Sequence, residues 1–333
     1  MKNLIFIFSL PRSGSTLLQS LLMRHPEIHS VSEPWLLLPL AYMTQDFGKV
    51  SAPYHHDQAR QAIADFVQQL PEKEEDFCAA IAQCAWKIYE KVCPNNGTYF
   101  LDKTPRYYLI IPLIAKMFPK AKFIFLFRNP LAVFASIINT FYGGRLGSLY
   151  NSDIDLYTGP QLLVNGWKSL CRRSIKVNYE DFVSAPEDSL QSILEYLELG
   201  TGKLDLSKVN ESGLSGKMGD RWGLRSYDRI VTDGREKWRG SFNTKFRIWL
   251  ARSYLKKIGS ETLSDMGYSI EEINRELDEM KGVGSLGVWD ASDFTRSNLY
   301  RLLTDGRINL MLKKILIPGC LTWKWRNNSV ETK

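Results

Sequence analysis

The first 33 residues constrain this chain most. Leu4–Phe8 form an apolar run of strand length, and Pro11-Arg12-Ser13-Gly14-Ser15-Thr16 follows at once. Leu17, Leu18, Leu21 and Leu22 then recur at helical spacing until His25-Pro26 ends the pattern. A strand, a short Gly/Ser loop and a helix start together make an anion cradle from backbone N–H groups and the positive end of a helix dipole. Such a cradle points to a phosphate or sulfate ester. The same Ser and Thr also suit an ordinary helix N-cap. The loop lacks the second Gly-Lys pair of a nucleotide-triphosphatase box, and the strand-like run Phe123–Phe127 ends in Arg128 rather than a metal-holding Asp.

Further apolar runs without alternation, at Tyr99–Leu101, Phe123–Phe127 and Ile175–Asn178, read as parallel strands. Helical patterns separate them, at Ser15–Arg24, Gln58–Leu70, Asp76–Val92, Pro105–Met117, Pro130–Asn139 and Ser184–Leu197. This alternation predicts an α/β fold, a three-layer sandwich with a central parallel sheet of about four or five strands. The loops after the first three strands should then meet at one site. Residues 142–160 and 200–245 read as long functional loops, and helices resume from about 260, at Glu271–Met280 and Asn298–Ile315. We expect one domain over 1–260, with a helical insertion at about 34–97, and a helical extension over 261–333 packed on or beside it.

Composition narrows the class. No 18-residue apolar stretch is present, so no transmembrane helix is expected. The five cysteines show no CxxC, and the four histidines show no zinc spacing, which suits reduced thiols in a cytoplasmic protein without a metal. The net charge is +7, from 43 basic and 36 acidic residues. It suits an anionic ligand, a nucleic acid or an anionic membrane without choosing among them.

The second informative element is the run Phe123–Phe127, then Arg128-Asn129-Pro130, with Ser136 two turns into the following helix. A strand-end arginine and a hydroxyl eight residues on can hold a second phosphate away from the first loop. A plainer reading pairs Arg128 with a surface carboxylate and leaves Ser136 as a packing residue. Together the two elements resemble the sulfotransferases that use 3′-phosphoadenosine 5′-phosphosulfate (PAPS). The resemblance covers roughly residues 3–40 and 98–200, with a weaker patch at 226–242. The loop form is closest to the tyrosylprotein and carbohydrate sulfotransferases.

That resemblance implies a P-loop-like sulfotransferase fold. It assigns the 5′-phosphosulfate to Arg12, Ser13, Gly14, Ser15 and Thr16, and the 3′-phosphate to Arg128 and Ser136. Glu33, 21 residues after Arg12, corresponds to the family's general base. Lys103, in Asp102-Lys103-Thr104-Pro105, corresponds to the lysine at the transferring sulfuryl group. Tyr179 lies in a segment similar to the family's strand-Tyr-Glu-Asp-Leu, and Ser226 in one similar to its sulfuryl-side loop. Arg235, Lys237 and Trp238, with Phe242, resemble its cofactor-closing segment.

Sulfuryl transfer is mostly positioning plus charge stabilisation, which Arg and Lys can supply without a metal. Lys103 would neutralise the leaving oxygen, and Arg12 would hold the 5′-phosphate or the sulfuryl oxygens. Glu33, or else His25 or His29, would take the proton from an acceptor hydroxyl. Each residue has a plainer reading too: Glu33 as the cap of a helix at Pro34, Lys103 as a solvated side chain before Pro105, Tyr179 as a surface strand end. The expected product is adenosine 3′,5′-bisphosphate, and the acceptor a hydroxyl on a small molecule, glycan or lipid, with no nucleic-acid partner. It should bind over the 34–97 helices and the 142–160 and 210–242 loops. Residues 301–333 carry seven basic and two acidic residues and end in Trp323-Lys324-Trp325-Arg326, which suits peripheral membrane contact or a packed terminal helix. The rival readings are a P-loop kinase or NTPase and a non-catalytic basic nucleic-acid or membrane binder.

Overall fold

Five short segments carry the architecture in a computed structural model of the chain, which describes residues 3–43, 56–93, 97–200, 236–280 and 285–304. Strand β1 (Asn3–Ser9) is apolar from Leu4 to Phe8, as suits a strand covered on both faces. It pairs in parallel with β3 (Tyr99–Asp102) on one edge and β4 (Lys122–Phe127) on the other. The edges are β2 (Ile28–Ser30), beside β3, and β5 (Ser174–Asn178), beside β4. The order is β2-β3-β1-β4-β5, all parallel.

Period-two alternation sorts the strand side chains into two chemically different layers. Ile5, Ile7, Ile124 and Leu126 face an aliphatic layer with α1 (Ser15–Leu22) and α9 (Pro186–Tyr196). Phe6, Phe8, Phe123 and Phe125 face the other side, under α4 (Glu74–Val92), α5 (Ile111–Met117), α6 (Pro130–Tyr142) and α7 (Gly159–Leu170). Phe8 lies 5.6 Å from Phe123 and 5.2 Å from Phe125 between ring centroids. Each such buried side chain contributes about 1.5–3 kcal/mol. This is the three-layer α/β sandwich expected.

Several sequence expectations need correction. Pro105–Met117 is not one helix: a 3₁₀ turn over Pro105–Leu109 stops at Ile110, and α5 restarts with Pro112 in its first turn. Pro112 has no N–H to continue the ladder, but its fixed φ suits a helix start. The helix expected at Ser184–Leu197 is α9, which starts at Pro186, and a separate short helix that was not expected, α8 (Tyr179–Ser184), precedes it. The expected loop at 142–160 is mostly ordered turns, with a 3₁₀ turn at Leu149–Ser152 and a π turn at Ile154–Thr158 leading into α7. Helices resume before 260, at α10 (Lys245–Ile258), followed by α11 (Ser260–Met266) and α12 (Ile270–Glu279). The last described helix, α13 (Val288–Thr304), opens ten residues before Asn298. Residues 201–235 and 305–333, including the Trp323–Arg326 run, lie outside the described residues.

The helical insertion lies between β2 and β3, as α2 (Leu37–Ala41), α3 (His56–Val67) and α4. Helices α10 to α12 share the aromatic layer's core through Leu250, Tyr254, Leu263 and Leu277. Among the described residues no helix is long and apolar enough to cross a membrane.

Phe134 of α6 is fully buried, 4.7 Å from the Tyr254 ring and 5.8 Å from that of Phe242. Phe134→Ala is expected to cost about 3–5 kcal/mol. Urea unfolding followed by far-UV circular dichroism and by tryptophan fluorescence should shift to the same midpoint, since sheet and C-terminal helices share this contact.

Candidate functional site

The site is assembled where the C-terminal ends of β1, β3 and β4 lie side by side. After β1 the chain turns through two left-handed residues, Arg12 (φ +67°) and Gly14 (φ +86°). A left-handed arginine costs about 1–2 kcal/mol and must be held. Arg128 Nη1 donates to its carbonyl oxygen at 2.9 Å, and its own Nε donates to Ser136 Oγ at 3.1 Å. Gly14 allows a close approach, since a Cβ there would clash with the Tyr179 ring. Helix α1 opens directly after Gly14 with no side-chain cap, and its first intrahelical bond is Leu18 N to Gly14 O at 3.2 Å. The earlier N–H groups have no partner within the helix, which suits an anion.

Arg128 leaves the end of β4 and lies over the face of Tyr179, its guanidinium carbon 4.1 Å from the ring centroid. Asn129 caps α6, its Oδ1 accepting from Leu131 N at 2.9 Å and Ala132 N at 3.4 Å. Glu180 anchors this turn from the next loop: Oε1 accepts from Asn129 N at 3.1 Å, and Oε2 from the Tyr268 hydroxyl at 2.6 Å. Tyr179 is therefore a buried ring between Gly14 and Arg128, not a surface strand end. Ser136 and Arg128 were expected to stand apart from the first loop, yet both contact Arg12. The reason is that β1 and β4 are neighbours, so the loops leaving them abut.

Lys103 follows β3. Its Nζ lies 2.5 Å from Glu33 Oε1 and 3.2 Å from Thr16 Oγ1. The two side chains are only 1% and 8% exposed, so Lys103 is not a solvated lysine. Glu33 precedes an irregular segment; the next helix, α2, begins at Leu37. Its second oxygen accepts from Trp35 Nε1 at 3.2 Å. The histidine alternatives lie elsewhere. His25 lies past the other end of α1, a helix about 12 Å long, with Nε2 3.2 Å from the Gly200 carbonyl. His29 sits on β2 against Gly97.

Beneath Lys103 lies a fully buried carboxylate that sequence reading did not single out. Asp102 Oδ2 accepts from the Tyr89 hydroxyl at 2.6 Å and the Tyr107 hydroxyl at 2.9 Å, and Oδ1 accepts from Thr104 Oγ1 at 3.1 Å. Burial pushes its pKa up to about 6, against the pull of the three hydroxyls and of Lys103. Burial foremost, then the Asp102 charge, pushes the Tyr89 and Tyr107 hydroxyls well above the ordinary tyrosine range. The only signal for this group in sequence was that Asp102 ends an otherwise apolar strand.

Trp238 is 3% exposed, in a 3₁₀ turn at Lys237–Ser241. It stands edge-on to Phe242 at 6.0 Å, and Ser241 Oγ accepts from Asn139 Nδ2 at 2.8 Å. The turn that carries Trp238 and the exposed Lys237 is thus docked, through Ser241 and Phe242, on α6, the helix that carries Ser136. Ser226 and Arg235 lie outside the described residues. Among the described residues no cluster of three or more His, Cys, Asp or Glu has metal-holding geometry.

A family model described as "Sulfotransferase family" matches residues 4–202, more than half of the chain. The chain is 27% identical over 288 residues to the nodulation protein NoeE of Sinorhizobium fredii, which covers 79% of this chain and 65% of that protein. It is 25% identical over 245 residues to protein-tyrosine sulfotransferase 1 of Danio rerio, covering 71% of this chain and 66% of that one. The chain thus spans a little under two thirds of the length of these two relatives. A solved sulfotransferase domain from the curacin biosynthetic pathway aligns with a TM-score of 0.47 at 22% identity, over 72% of this chain and 91% of that one.

Two measurements check this geometry. Gly14→Ala should cost about 2–4 kcal/mol in urea unfolding, from left-handed strain plus overpacking on Tyr179. Adding Tyr179→Leu should recover the overpacking share and leave the dihedral share. For Asp102, the folded pKa of about 6 lies above the usual aspartate value, so the folded state binds the proton more tightly. That stabilisation is present below about pH 4 and is lost as pH rises to about 6, on the order of 3 kcal/mol. Parallel unfolding series for wild type and Asp102→Asn should differ by a margin that shrinks accordingly across this window.

Proposed function

The chain belongs to the sulfotransferase family, and from that premise we propose that it transfers a sulfuryl group from PAPS to an acceptor hydroxyl by in-line displacement. One observation carries the reading: Lys103 Nζ contacts both Thr16 of the anion loop and Glu33, so a cation, a carboxylate and a helix N-terminus meet at one point. The residues present suit a doubly phosphorylated nucleotide. Arg12 and Arg128 place two guanidiniums on adjoining loops, each able to fork onto phosphate oxygens. The loop at Gly14 leaves no room for a Cβ, and the first N–H groups of α1 supply neutral donors.

In this reading the donor supplies an activated sulfuryl group on a phosphate leaving group, and the chain supplies position and charge. Arg12 and the Ser13–Thr16 loop hold the 5′ side, and Arg128 with Ser136 holds the 3′-phosphate, while Trp238 and Lys237 close over the nucleotide. Lys103 neutralises charge at the leaving oxygen, in a water-poor setting where that charge counts most. Glu33 accepts the acceptor's proton at Oε1 once Lys103 turns from it. Such a base is worth about 10²–10⁴-fold. The acceptor is a glycan, lipid or natural-product hydroxyl. Support for hydroxyl chemistry comes from the relatives' names, which include protein-tyrosine sulfotransferases beside the nodulation protein.

Calorimetric titration should show adenosine 3′,5′-bisphosphate binding at least tenfold tighter than ADP or AMP. Arg128→Ala should abolish that preference; equal affinity for all three nucleotides in the wild type would overturn the donor assignment. Glu33→Gln should lower kcat about 10²-fold or more with little change in bisphosphate affinity, read as bisphosphate released from PAPS with phenolic, glycan and lipid hydroxyl acceptors. Unchanged turnover would place the base elsewhere.

A further inference from the structure

The buried polar group under Lys103 reaches the candidate base by a second path, through the backbone that follows Glu33. Asp102, Thr104 and Tyr107 are each 1% exposed or less, so every proton in this cluster needs a defined partner. An ionised carboxylate only accepts hydrogen bonds, and a hydroxyl has a single proton. Thr104 and Tyr107 donate theirs to Asp102, which leaves their oxygens free to accept. Both do so from the same stretch of chain: Thr104 Oγ1 accepts from Trp35 N at 3.3 Å, and the Tyr107 hydroxyl accepts from Leu37 N at 3.2 Å. Asp102 thereby fixes the polarity of two anchors that grip residues 35 and 37.

Trp35 is the residue that needs gripping. It has φ +53°, a left-handed conformation that costs a non-glycine residue about 1–2 kcal/mol. In this conformation its indole Nε1 donates to Glu33 Oε2, two residues back. Lys103 takes the opposite oxygen, Oε1. The carboxylate is thus held on one side by the group that neutralises the leaving oxygen, and on the other by a side chain with no other part in the chemistry.

We propose that Trp35 and Thr104 are positioning residues for Glu33: the Thr104 hydroxyl, oriented by Asp102, holds the strained Trp35 backbone, and the Trp35 indole holds the Glu33 carboxylate. This rests on the reading of Glu33 as the base. The role lies in the hydroxyl proton and lone pair of Thr104, not in its volume. Thr104→Val keeps the shape and removes both bonds; Thr104→Ser keeps both bonds and removes a methyl. A packing role predicts the opposite ranking.

The test uses ¹⁵N spectra of the indole N–H groups, nine in this chain, with the Trp35 signal assigned by its disappearance in Trp35→Phe. The Trp35 signal should move in Glu33→Gln and in Thr104→Val and stay in place in Thr104→Ser. In the release assay, Thr104→Val and Trp35→Phe should each lose about tenfold or more in kcat, with bisphosphate affinity within twofold of wild type, and Thr104→Ser should stay near wild type. A Trp35 signal unmoved in Glu33→Gln, or unmoved in Thr104→Val while Glu33→Gln loses turnover, would overturn this proposal alone. Full turnover in Glu33→Gln would instead remove the base assignment, and the proposal with it. If Thr104→Val does not fold, Trp35→Phe and Thr104→Ser still decide: full turnover in the first, or lost turnover in the second, overturns it.

Discussion

The central strand governs the geometry of everything above it. β1 is bonded along both edges, to β3 and to β4, and neighbouring strands lie about 4.8 Å apart. Whatever follows the three strands is therefore brought within side-chain reach. The anion loop, the Asp102–Thr104 segment and the Arg128–Asn129 turn leave the sheet at one edge because the strands are parallel. An antiparallel neighbour would send one of these loops to the far side. The parallel order also reverses direction at β1, with β3 and β2 on one side and β4 and β5 on the other. Such a switch point opens a crevice at the carboxyl ends.

Three buried or half-buried carboxylates surround this crevice, and each is satisfied differently. Asp102 takes three hydroxyl protons, Glu33 takes a lysine and an indole, and Glu180 takes a backbone amide and a phenol. Burying a charge is costly unless every lone pair finds a donor. Several donors come from other elements, namely Tyr89 to Asp102, Lys103 to Glu33, and Asn129 and Tyr268 to Glu180, so the same bonds that satisfy the charges also fix the loops. Tyr268 to Glu180 to Asn129 ties the turn after α11 to the start of α6 by this means.

The elements legible in sequence were those with strong local signals. β1 and β4 are continuous apolar runs, and α1 and α6 open on recognisable turns. β2 was missed because Ile28-His29-Ser30 is a three-residue edge strand with two polar members, too short for periodicity to register. α7 was missed because Gly159-Pro160 read as loop punctuation, although a proline in the first turn starts helices as readily as it ends them. Arg12 and Arg128 were legible by type and position and Glu33 and Lys103 through the family resemblance, and the fold sets all four on loops at the carboxyl ends of the strands. The Asp102 cluster was not, because the hydroxyls of Tyr89, Thr104 and Tyr107 follow no helix or strand period, nor was the Tyr268 tie, which spans 88 residues.

The division of the sheet into a ring-bearing side and a branched-aliphatic side also guards strand alignment. Phe6 and Phe8 meet Phe123 and Phe125 on one side only, while Ile5, Ile7, Ile124 and Leu126 occupy the other. A slip of β4 by one position against β1 would invert every side chain of that strand. Phe123, Phe125 and Phe127 would then be driven into a layer shaped for methyl groups, and the gap left behind would be too wide for isoleucine and leucine to fill. Misalignment is penalised twice, by crowding above and by emptiness below, so the chain needs no polar marker inside the sheet to settle into step.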